Sequence, residues 1–188
     1  MTRPAVFLDR DGTLNREVHY LARVEDFEWL PGTIDGLAAL DRAGYALVVV
    51  TNQSGIAQGL LDTTELNAIH ARMAADLAQA GVALAGVYFC PHHPELGQDP
   101  WRCDCDCRKP RTGMLRRALR ELDLDPARSW FVGDSLRDLE AGHAIGARSI
   151  LVRTGKGADQ GPAVTRALPD AAQVDDLAAA ARHILAQG

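Results

Sequence analysis

Short apolar runs separated by longer amphipathic stretches make up most of this chain. Continuous apolar runs are typical of buried parallel strands, and they predict strands at residues 5–8, 45–50, 87–90, 129–132 and 149–152. The amphipathic stretches predict helices at residues 34–43, 62–81, 113–122, 136–145 and 175–186. Asp62 and Glu65 form a capping-box pattern at the start of the second helix. The alternation predicts an α/β fold built on a doubly wound, Rossmann-like parallel sheet.

Polar side chains follow several of the predicted strands, at the end of the sheet where ligands bind. Asp9 and Asp11 come after the first strand, and Asp134 comes after the fourth. Three carboxylates at one edge are oxygen ligands of the kind that Mg²⁺ prefers. For Asp9 and Asp11 alone, a polar strand end that leads into a turn at Gly12 is an equally simple interpretation.

Two further residues fit a site for a phosphoryl group. Thr51 follows the second strand, where its hydroxyl and the next backbone N–H groups, opened by Gly55, are suited to phosphoryl oxygens. Taken singly, Thr51 is more often a helix cap or a turn residue. Lys109 precedes a proline, and Lys156 is the only other lysine among 20 lysines and arginines. A lysine ammonium is a common partner of phosphate and of a neighbouring carboxylate.

The order and separation of these residues resemble the four motifs of the haloacid dehalogenase-like (HAD) phosphohydrolases. The motifs are DxDGT at Asp9, the strand-end Thr51, Lys109 and GDxxxD at Asp134. The resemblance implies that Asp9 is a nucleophile toward phosphorus and that Asp11 is a general acid and base. Predicted elements and a cysteine-bearing loop fill the intervals between the motifs, so we expect no cap domain and an open site.

Composition and charge narrow the class of protein. A chain of 188 residues, 47% of them hydrophobic, fits a single catalytic domain over residues 1–188. The net charge of −5 argues against nucleic acid and anionic membranes as partners. Because the first strand begins almost at once and no apolar run approaches a membrane span, we expect a cytoplasmic protein. We also expect a monomer that acts on a small molecule.

All four cysteines lie in the loop at residues 90–107, which we treat as an insertion in the domain. In a reducing compartment this cluster favours a structural zinc site over disulfides. Four ligands are needed, and the loop offers six candidates: Cys90, His92, His93, Cys103, Cys105 and Cys107. We favour Cys90, His92, Cys105 and Cys107, because a spacing of two places both members of each pair on one side of an extended segment. Free thiols in a mobile loop, or a catalytic zinc, are the less favoured alternatives.

A narrower resemblance combines this loop with the phosphatase motifs. The segments CPHHP, CDCRKP and TNQSGIA are similar to those of the D-glycero-D-manno-heptose-1,7-bisphosphate 7-phosphatases, and the similarity extends from about residue 5 to residue 154. That family is Mg²⁺-dependent, lacks a cap, binds structural zinc and contributes to lipopolysaccharide heptose precursors. The resemblance implies a sugar bisphosphate substrate, removal of its 7-phosphate, and a Mg²⁺ site at Asp9, Asp11 and Asp134.

The same resemblance assigns substrate contacts. Thr51 and Lys109 are expected on the transferred phosphoryl group. The remaining contacts are expected at Glu17, Val18, His19, Tyr20, Asn52, Gln53, Ser54 and Arg108. Some relatives have a basic residue directly after the fourth-motif Asp, where this chain has Ser135, so the contact to the second phosphate is expected to fall to Arg137 or Arg108.

Two alternative functions remain open at this point. Histidinol-phosphate phosphatases of the same superfamily share the motifs and a zinc loop. A zinc-organised binding module without catalysis is the alternative of another class, although the complete motif set argues against it. A dinucleotide site is excluded because no GxGxxG follows a strand, and Lys156 lacks the surrounding residues of a P-loop.

Overall fold

The computed structural model describes residues 2–187, and they form an α/β fold. The strands are β1 (Ala5–Leu8), β2 (Ala46–Asn52), β3 (Leu84–Cys90), β4 (Trp130–Gly133), β5 (Arg148–Val152) and β6 (Ala172–Val174). The helices are α1 (Thr33–Arg42), α2 (Thr63–Gln79), α3 (Gly113–Glu121), α4 (Leu136–His143), α5 (Gly157–Ala167) and α6 (Leu177–Leu185). Short 3₁₀ helices lie at Val24–Asp26 and Pro126–Arg128.

All strand pairs in the sheet are parallel, and the strand order is β3-β2-β1-β4-β5-β6. The order reverses direction at β1, which lies between β2 and β4, so the carboxyl ends of these three strands form the crevice where such folds bind ligands. Every residue of β1 is fully buried. The buried central strand β1 therefore leads directly into Asp9.

Alternate residues of the central strands face two hydrophobic layers. Val6 and Leu8 pack in a core that also contains side chains of α1, α2 and α6, including Leu37 and Ile184. Phe7 packs on the opposite face with side chains of α3 and α4. Because both faces are covered, the strands are apolar along their whole length, which is why the sequence marks them clearly.

Most of the expected elements are present, and two were missed. The predicted strands and helices correspond to β1–β5, α1–α4 and α6, with boundaries that differ by a few residues. The capping box of α2 is confirmed, since Asp62 accepts from the Glu65 N–H at 2.8 Å and Glu65 accepts from the Asp62 N–H at 2.7 Å. The segment between β5 and α6, for which no element was predicted, contains α5 and β6.

The helix α5 was missed because its composition is unfavourable. Its interior contains Gly161 and Pro162, and both residue types disfavour a helix there. Its Val164 is fully buried against Leu139 and Leu151. Tertiary packing thus stabilises a segment that local propensity alone does not predict.

No separate cap is present among residues 2–187. The segments between the central strands are filled by α1, by α2 and by the loop at residues 91–112, and the carboxyl edge of the sheet stays open. The same described residues contain no helix with the length and hydrophobicity needed to span a bilayer.

Candidate active site and cysteine loop

A buried lysine lies at the centre of the site, at the carboxyl ends of β1 and β2. Lys109 Nζ donates to Asp9 Oδ1 at 2.7 Å and to the Val50 carbonyl at 2.7 Å, and it forms an ion pair with Asp138 Oδ1 at 2.8 Å. Lys109 is 3% exposed and Asp138 is 1% exposed. All three ammonium protons therefore have acceptors, and the lysine fixes the position of Asp9.

Burial and mutual repulsion disfavour the ionised carboxyl groups around this lysine. Burial raises the pKa of Asp9 to about 6, against the attraction of Lys109 and with repulsion from Asp138. Burial, followed by repulsion from Asp9 and Asp138, raises the pKa of Asp134 to about 7. Burial alone would lower the pKa of Lys109, but Asp138 and Asp9 raise it above its ordinary value. The cluster has more negative charge than the lysine neutralises.

The carboxylates of Asp9, Asp134 and Asp138 are close enough to hold one metal ion. Oxygen atoms of the three residues lie within 4.8 Å of one another. Asp138 Oδ2 is buried and has no hydrogen-bond partner among the described residues. A group of buried oxygen donors with excess negative charge and an unsatisfied oxygen fits a hard divalent cation.

The carboxylate of Asp11 lies outside this group of three. Asp11 is paired with the fully buried Arg10 at 2.8 Å, and it accepts from Gln53 Nε2 at 2.8 Å and from Asn15 Nδ2 at 3.1 Å. Burial would raise the pKa of Asp11, but Arg10 and these hydrogen bonds lower it. The structure thus groups Asp138, and not the side chain of Asp11, with Asp9 and Asp134.

Arg10 is itself held by a neutral histidine. Arg10 Nη1 lies 3.1 Å from His70 Nε2. Burial and then the charge of Arg10 lower the pKa of His70 to about 3. The imidazole is therefore neutral near pH 7 and can accept from the guanidinium, which leaves the other edge of Arg10 to hold Asp11.

Residues at the end of β2 and directly after it connect Asp11 and Thr51 to each other and hold Lys109. Gln53 Nε2 donates to Thr51 Oγ1 at 2.9 Å as well as to Asp11. Asn52 was expected to contact substrate; its Oδ1 accepts from the Lys109 N–H at 3.0 Å, and its Nδ2 donates to the Lys109 carbonyl at 3.1 Å. Asn52 therefore orients the backbone of the buried lysine.

A cavity of about 220 Å³ opens above these groups. Most of the expected site residues line it: Asp9, Asp11, Glu17, His19, Tyr20, Thr51, Asn52, Gln53, Ser54, Arg108, Lys109, Asp134 and Arg137. Val18 does not, because it packs against the hydrophobic core. Other lining residues were not expected, and they include Asp138, His93 and Lys156. Asp138 follows Asp134 by four residues and Lys156 follows β5, so motif spacing and strand-end position are the signals that could have found them.

The cysteine loop brings together the four favoured zinc ligands. Donor atoms of Cys90, His92, Cys105 and Cys107 all lie within 4.8 Å of one another. Cys107 Sγ lies 3.2 Å from Cys90 Sγ, 3.1 Å from Cys105 Sγ and 3.3 Å from His92 Nδ1. A tetrahedral site with Zn–S bonds of about 2.3 Å places sulfur atoms roughly 3.8 Å apart, so small adjustments would fit a zinc ion.

The two spare donors lie outside this cluster. His93 Nδ1 accepts from the backbone N–H groups of Glu95 at 3.1 Å and Leu96 at 2.8 Å, so it organises the loop. Cys103 is a half-buried thiol, and all four cysteines of the chain remain thiols in the structure. The geometry thus favours the cluster that the spacing of the ligands predicts.

The sheet and the carboxylate–lysine site together define a HAD-like hydrolase. A family model described as HAD-hydrolase-like matches residues 106–180. A D-glycero-β-D-manno-heptose-1,7-bisphosphate 7-phosphatase of Photorhabdus laumondii is 47% identical over 81% of this chain and 82% of that protein. The protein of the same name from Haemophilus influenzae is 48% identical over 81% of this chain and 83% of that protein.

Among solved structures, D,D-heptose 1,7-bisphosphate phosphatase from B. bronchiseptica, complexed with magnesium and phosphate, is similar over the whole fold. Its TM-score is 0.87 at 40% identity, and the match covers 98% of this chain and 99% of that chain. This chain therefore belongs to the D-glycero-β-D-manno-heptose-1,7-bisphosphate 7-phosphatase family. It is a phosphoric monoester hydrolase.

Proposed function

We propose that this enzyme removes the 7-phosphate of D-glycero-β-D-manno-heptose 1,7-bisphosphate by way of a phosphoaspartate on Asp9. The observation that supports this most strongly is Asp9 itself, fixed 2.7 Å from Lys109 Nζ at the base of a cavity lined by further cations. The names of the 46–48% identical relatives support the substrate and its anomer. The product would supply precursors of lipopolysaccharide heptose.

In the first step, a carboxylate oxygen of Asp9 attacks phosphorus and the bond to the sugar O7 breaks. Asp11 donates a proton to that oxygen, so the sugar leaves as an alcohol. Arg10 lowers the pKa of Asp11 in the free site, but an incoming phosphate dianion is a like charge and raises it again. In the second step, Asp11 takes a proton from water, which attacks the phosphoaspartate and releases inorganic phosphate.

Lys109 and Thr51 stabilise the phosphoryl group during both steps. The ammonium of Lys109 is paired with the Asp9 carboxylate. When Asp9 attacks phosphorus, negative charge moves from the carboxylate to the phosphoryl oxygens, and the same ammonium can stabilise it there. Gln53 holds the Thr51 hydroxyl and Asp11 together. These groups are in place before substrate arrives, which reduces the cost of reorganising them.

Mg²⁺ is the proposed cofactor of this site. Asp9, Asp134 and Asp138 have the buried oxygen donors and the excess negative charge that suit it, and the similar structure from B. bronchiseptica contains magnesium. When bound, the ion would neutralise phosphoryl charge and keep Asp9 ionised. Ligation of the same ion by Asp11, which the family resemblance implies, stays a prediction.

Zinc is the proposed ion for the cysteine loop, with a structural role. Four protein ligands leave no open position for water, which argues against catalysis at this ion. The loop also holds Arg108, whose Nη1 donates to the His92 carbonyl at 3.1 Å. A zinc ion on Cys107 and His92 would therefore fix Arg108 at the mouth of the active site.

A substrate comparison tests the proposed function. We expect kcat/KM for the heptose 1,7-bisphosphate to exceed that for histidinol phosphate at least about a hundredfold, or roughly 3 kcal/mol in transition-state binding. The reason is that Arg108 can bind a second anionic group, whereas the other end of histidinol phosphate is cationic. Arg108→Ala should narrow the ratio, and Arg116→Ala, on the exposed face of α3, is the matched control. A preference for histidinol phosphate would assign the enzyme to the alternative activity.

A further inference from the structure

Four cationic side chains line the active-site cavity, and they differ in what holds them. Lys109 is committed to Asp9 and Asp138. Arg108 donates to a neutral acceptor, the His92 carbonyl, at 3.1 Å, and Arg137 donates to Ser135 Oγ at 3.1 Å. Lys156 Nζ forms an ion pair with Glu17 Oε2 at 3.0 Å, and both residues line the cavity.

The backbone of Lys156 is tied to the catalytic loops. The Lys156 N–H donates to Asp134 Oδ2 at 2.9 Å, and Thr154 Oγ1 donates to the Gly12 carbonyl at 2.6 Å. The segment after β5 therefore has a fixed position relative to the loops that follow β1 and β4. The residue is anchored at its base beside the carboxylate cluster.

The tip of the same residue remains accessible. The Lys156 side chain is 52% exposed and the Glu17 side chain is 23% exposed. An ion pair with this exposure is worth about 1 kcal/mol or less, so another anion can replace one partner at little cost. A cation with an anchored base and a weakly held tip is suited to a ligand that arrives and leaves.

We propose that Lys156 binds the phosphate that is not transferred, and that Glu17 occupies its ammonium until the bisphosphate enters. This inference rests on the proposed function, because it needs a substrate with two phosphates. A phosphate monoester carries roughly −1.5 to −2 charge near pH 7 and competes well with a carboxylate. The exchange keeps Lys156 paired and frees Glu17 to accept hydrogen bonds from sugar hydroxyl groups.

The exchange explains how the cavity can use a carboxylate near an anionic substrate. Without a cation beside both groups, the Glu17 carboxylate would repel the second phosphate. If Lys156 stayed paired with Glu17, the second phosphate would have only Arg108 and Arg137. The arrangement instead gives three cations for that phosphate, two of them on loops that the fold fixes by hydrogen bonds to catalytic segments or to the cysteine loop.

The first test replaces Lys156 with glutamine in the Mg²⁺-loaded enzyme. A charge-assisted contact contributes about 1.5 kcal/mol at the lower end of its range, so KM for the heptose 1,7-bisphosphate should rise about tenfold. We expect kcat to change by less than about twofold, because uniform binding is lost and not transition-state binding. Heptose 7-phosphate, which lacks the second phosphate, should keep its KM.

A binding measurement without turnover supports the same conclusion. The Kd of the product, heptose 1-phosphate, measured by titration calorimetry, should rise by a similar factor in Lys156→Gln and should largely recover in Lys156→Arg. Arg153→Gln is the matched control, since Arg153 lies three residues earlier, is exposed, pairs with Asp175 and does not line the cavity. It should leave every constant unchanged.

The second test concerns the exchange with Glu17. Glu17→Gln removes the competing anion, so the preference for bisphosphate over heptose 7-phosphate, taken as a ratio of KM values, should increase. In the double variant with Lys156→Gln this increase should be smaller, because no ammonium remains to be released and only the repulsion between the carboxylate and the phosphate is removed. An equal increase with and without Lys156 would overturn the exchange.

The outcomes separate this inference from the proposed function. A wild-type enzyme that does not hydrolyse the heptose 1,7-bisphosphate would overturn the proposed function. An active wild-type enzyme whose Lys156→Gln variant binds bisphosphate and heptose 1-phosphate normally would overturn the role of Lys156 alone. An equal rise of KM for the bisphosphate and for heptose 7-phosphate in Lys156→Gln would also overturn it, since it would indicate a general change of the site.

Discussion

Replacing Asp134 with asparagine should stabilise the metal-free protein while removing its response to Mg²⁺. Asp134 is 3% exposed and lies beside Asp9 and Asp138, with one lysine to offset three carboxyl groups. The change removes a negative charge with almost no change of shape. The amide oxygen of asparagine can still accept from the Lys156 N–H, which now donates to Asp134 at 2.9 Å.

The size of the effect follows from the pKa of this group. Burial, Asp9 and Asp138 raise the pKa of Asp134 from 3.8 to about 7. At about 1.36 kcal/mol per pKa unit, the ionised carboxyl group costs roughly 4 kcal/mol of folding free energy at pH 8. Because Asp9 and Asp138 share this repulsion and relax when one charge is removed, we expect a gain of about 2 kcal/mol, or roughly 4–8 °C in Tm.

The sign of the pH dependence can be stated in advance. An acid whose pKa is higher in the folded state binds protons more tightly there, so the wild-type protein loses stability as pH rises from about 4 to about 7. The advantage of Asp134→Asn should therefore be largest at pH 8 and should fall to about half or less at pH 5. Added Mg²⁺ should reverse the order, because it stabilises only the protein that binds it.

Thermal unfolding of both proteins at pH 5 and pH 8, without and with Mg²⁺, measures the Tm difference, its pH dependence and its response to the ion. Chelators are left out so that the cysteine loop keeps its metal. Asp170→Asn is the matched control and should change Tm little, because Asp170 is exposed and does not line the active-site cavity. The reasoning would be refuted if Asp134→Asn were less stable than wild type at pH 8 without Mg²⁺, or if its advantage did not depend on pH.

Other variants test the nucleophile, the cysteine loop and the buried lysine. Asp9→Asn should abolish phosphate release and leave the fold intact, since the amide is nearly isosteric with the carboxylate but cannot act as nucleophile; a tenth of the activity or more would contradict the mechanism. Metal analysis should find one zinc per chain. Cys107→Ser should lower both the zinc content and the Tm far more than Cys103→Ser, and equal effects of the two variants would contradict a structural zinc site. Asn52→Ala should lower kcat about tenfold or more through misplacement of Lys109, and a change in KM alone would instead make Asn52 a substrate contact.

The central part of the fold could be predicted because its sequence pattern and its environment agree. Strands β1, β2 and β4 are buried on both faces, so each contains a continuous apolar run. Each is followed by a polar residue that the fold cannot use for packing, such as Asp9 or Asp134. The edge strand β6 has three residues, all half-buried, and no such pattern marks it.

The identities of the site residues could be predicted better than their partners. Asp138 is four residues from Asp134, but the sequence does not show that its Oδ1 reaches Lys109 or that its Oδ2 lacks a partner. Likewise, Asn52 lines the cavity as expected, and only the structure shows that it orients the backbone of Lys109. Contacts across the crevice depend on strand order and side-chain direction, which motif spacing does not specify.

In the cysteine loop, we expect a metal ion to fix the backbone, whereas hydrophobic packing does so in the rest of the fold. Between β3 and α3 the chain has no helix or strand, yet Arg108 and Lys109 at its end must be placed accurately in the site. Cys90 and His92 lie at the start of this loop, and Cys107 immediately precedes Arg108. An ion held by both ends of the loop would join Cys90, the last residue of β3, to Cys107, which precedes Arg108 and Lys109. A loop fixed in this way needs little apolar surface, so the edge of the active site can remain polar and open to an anionic sugar.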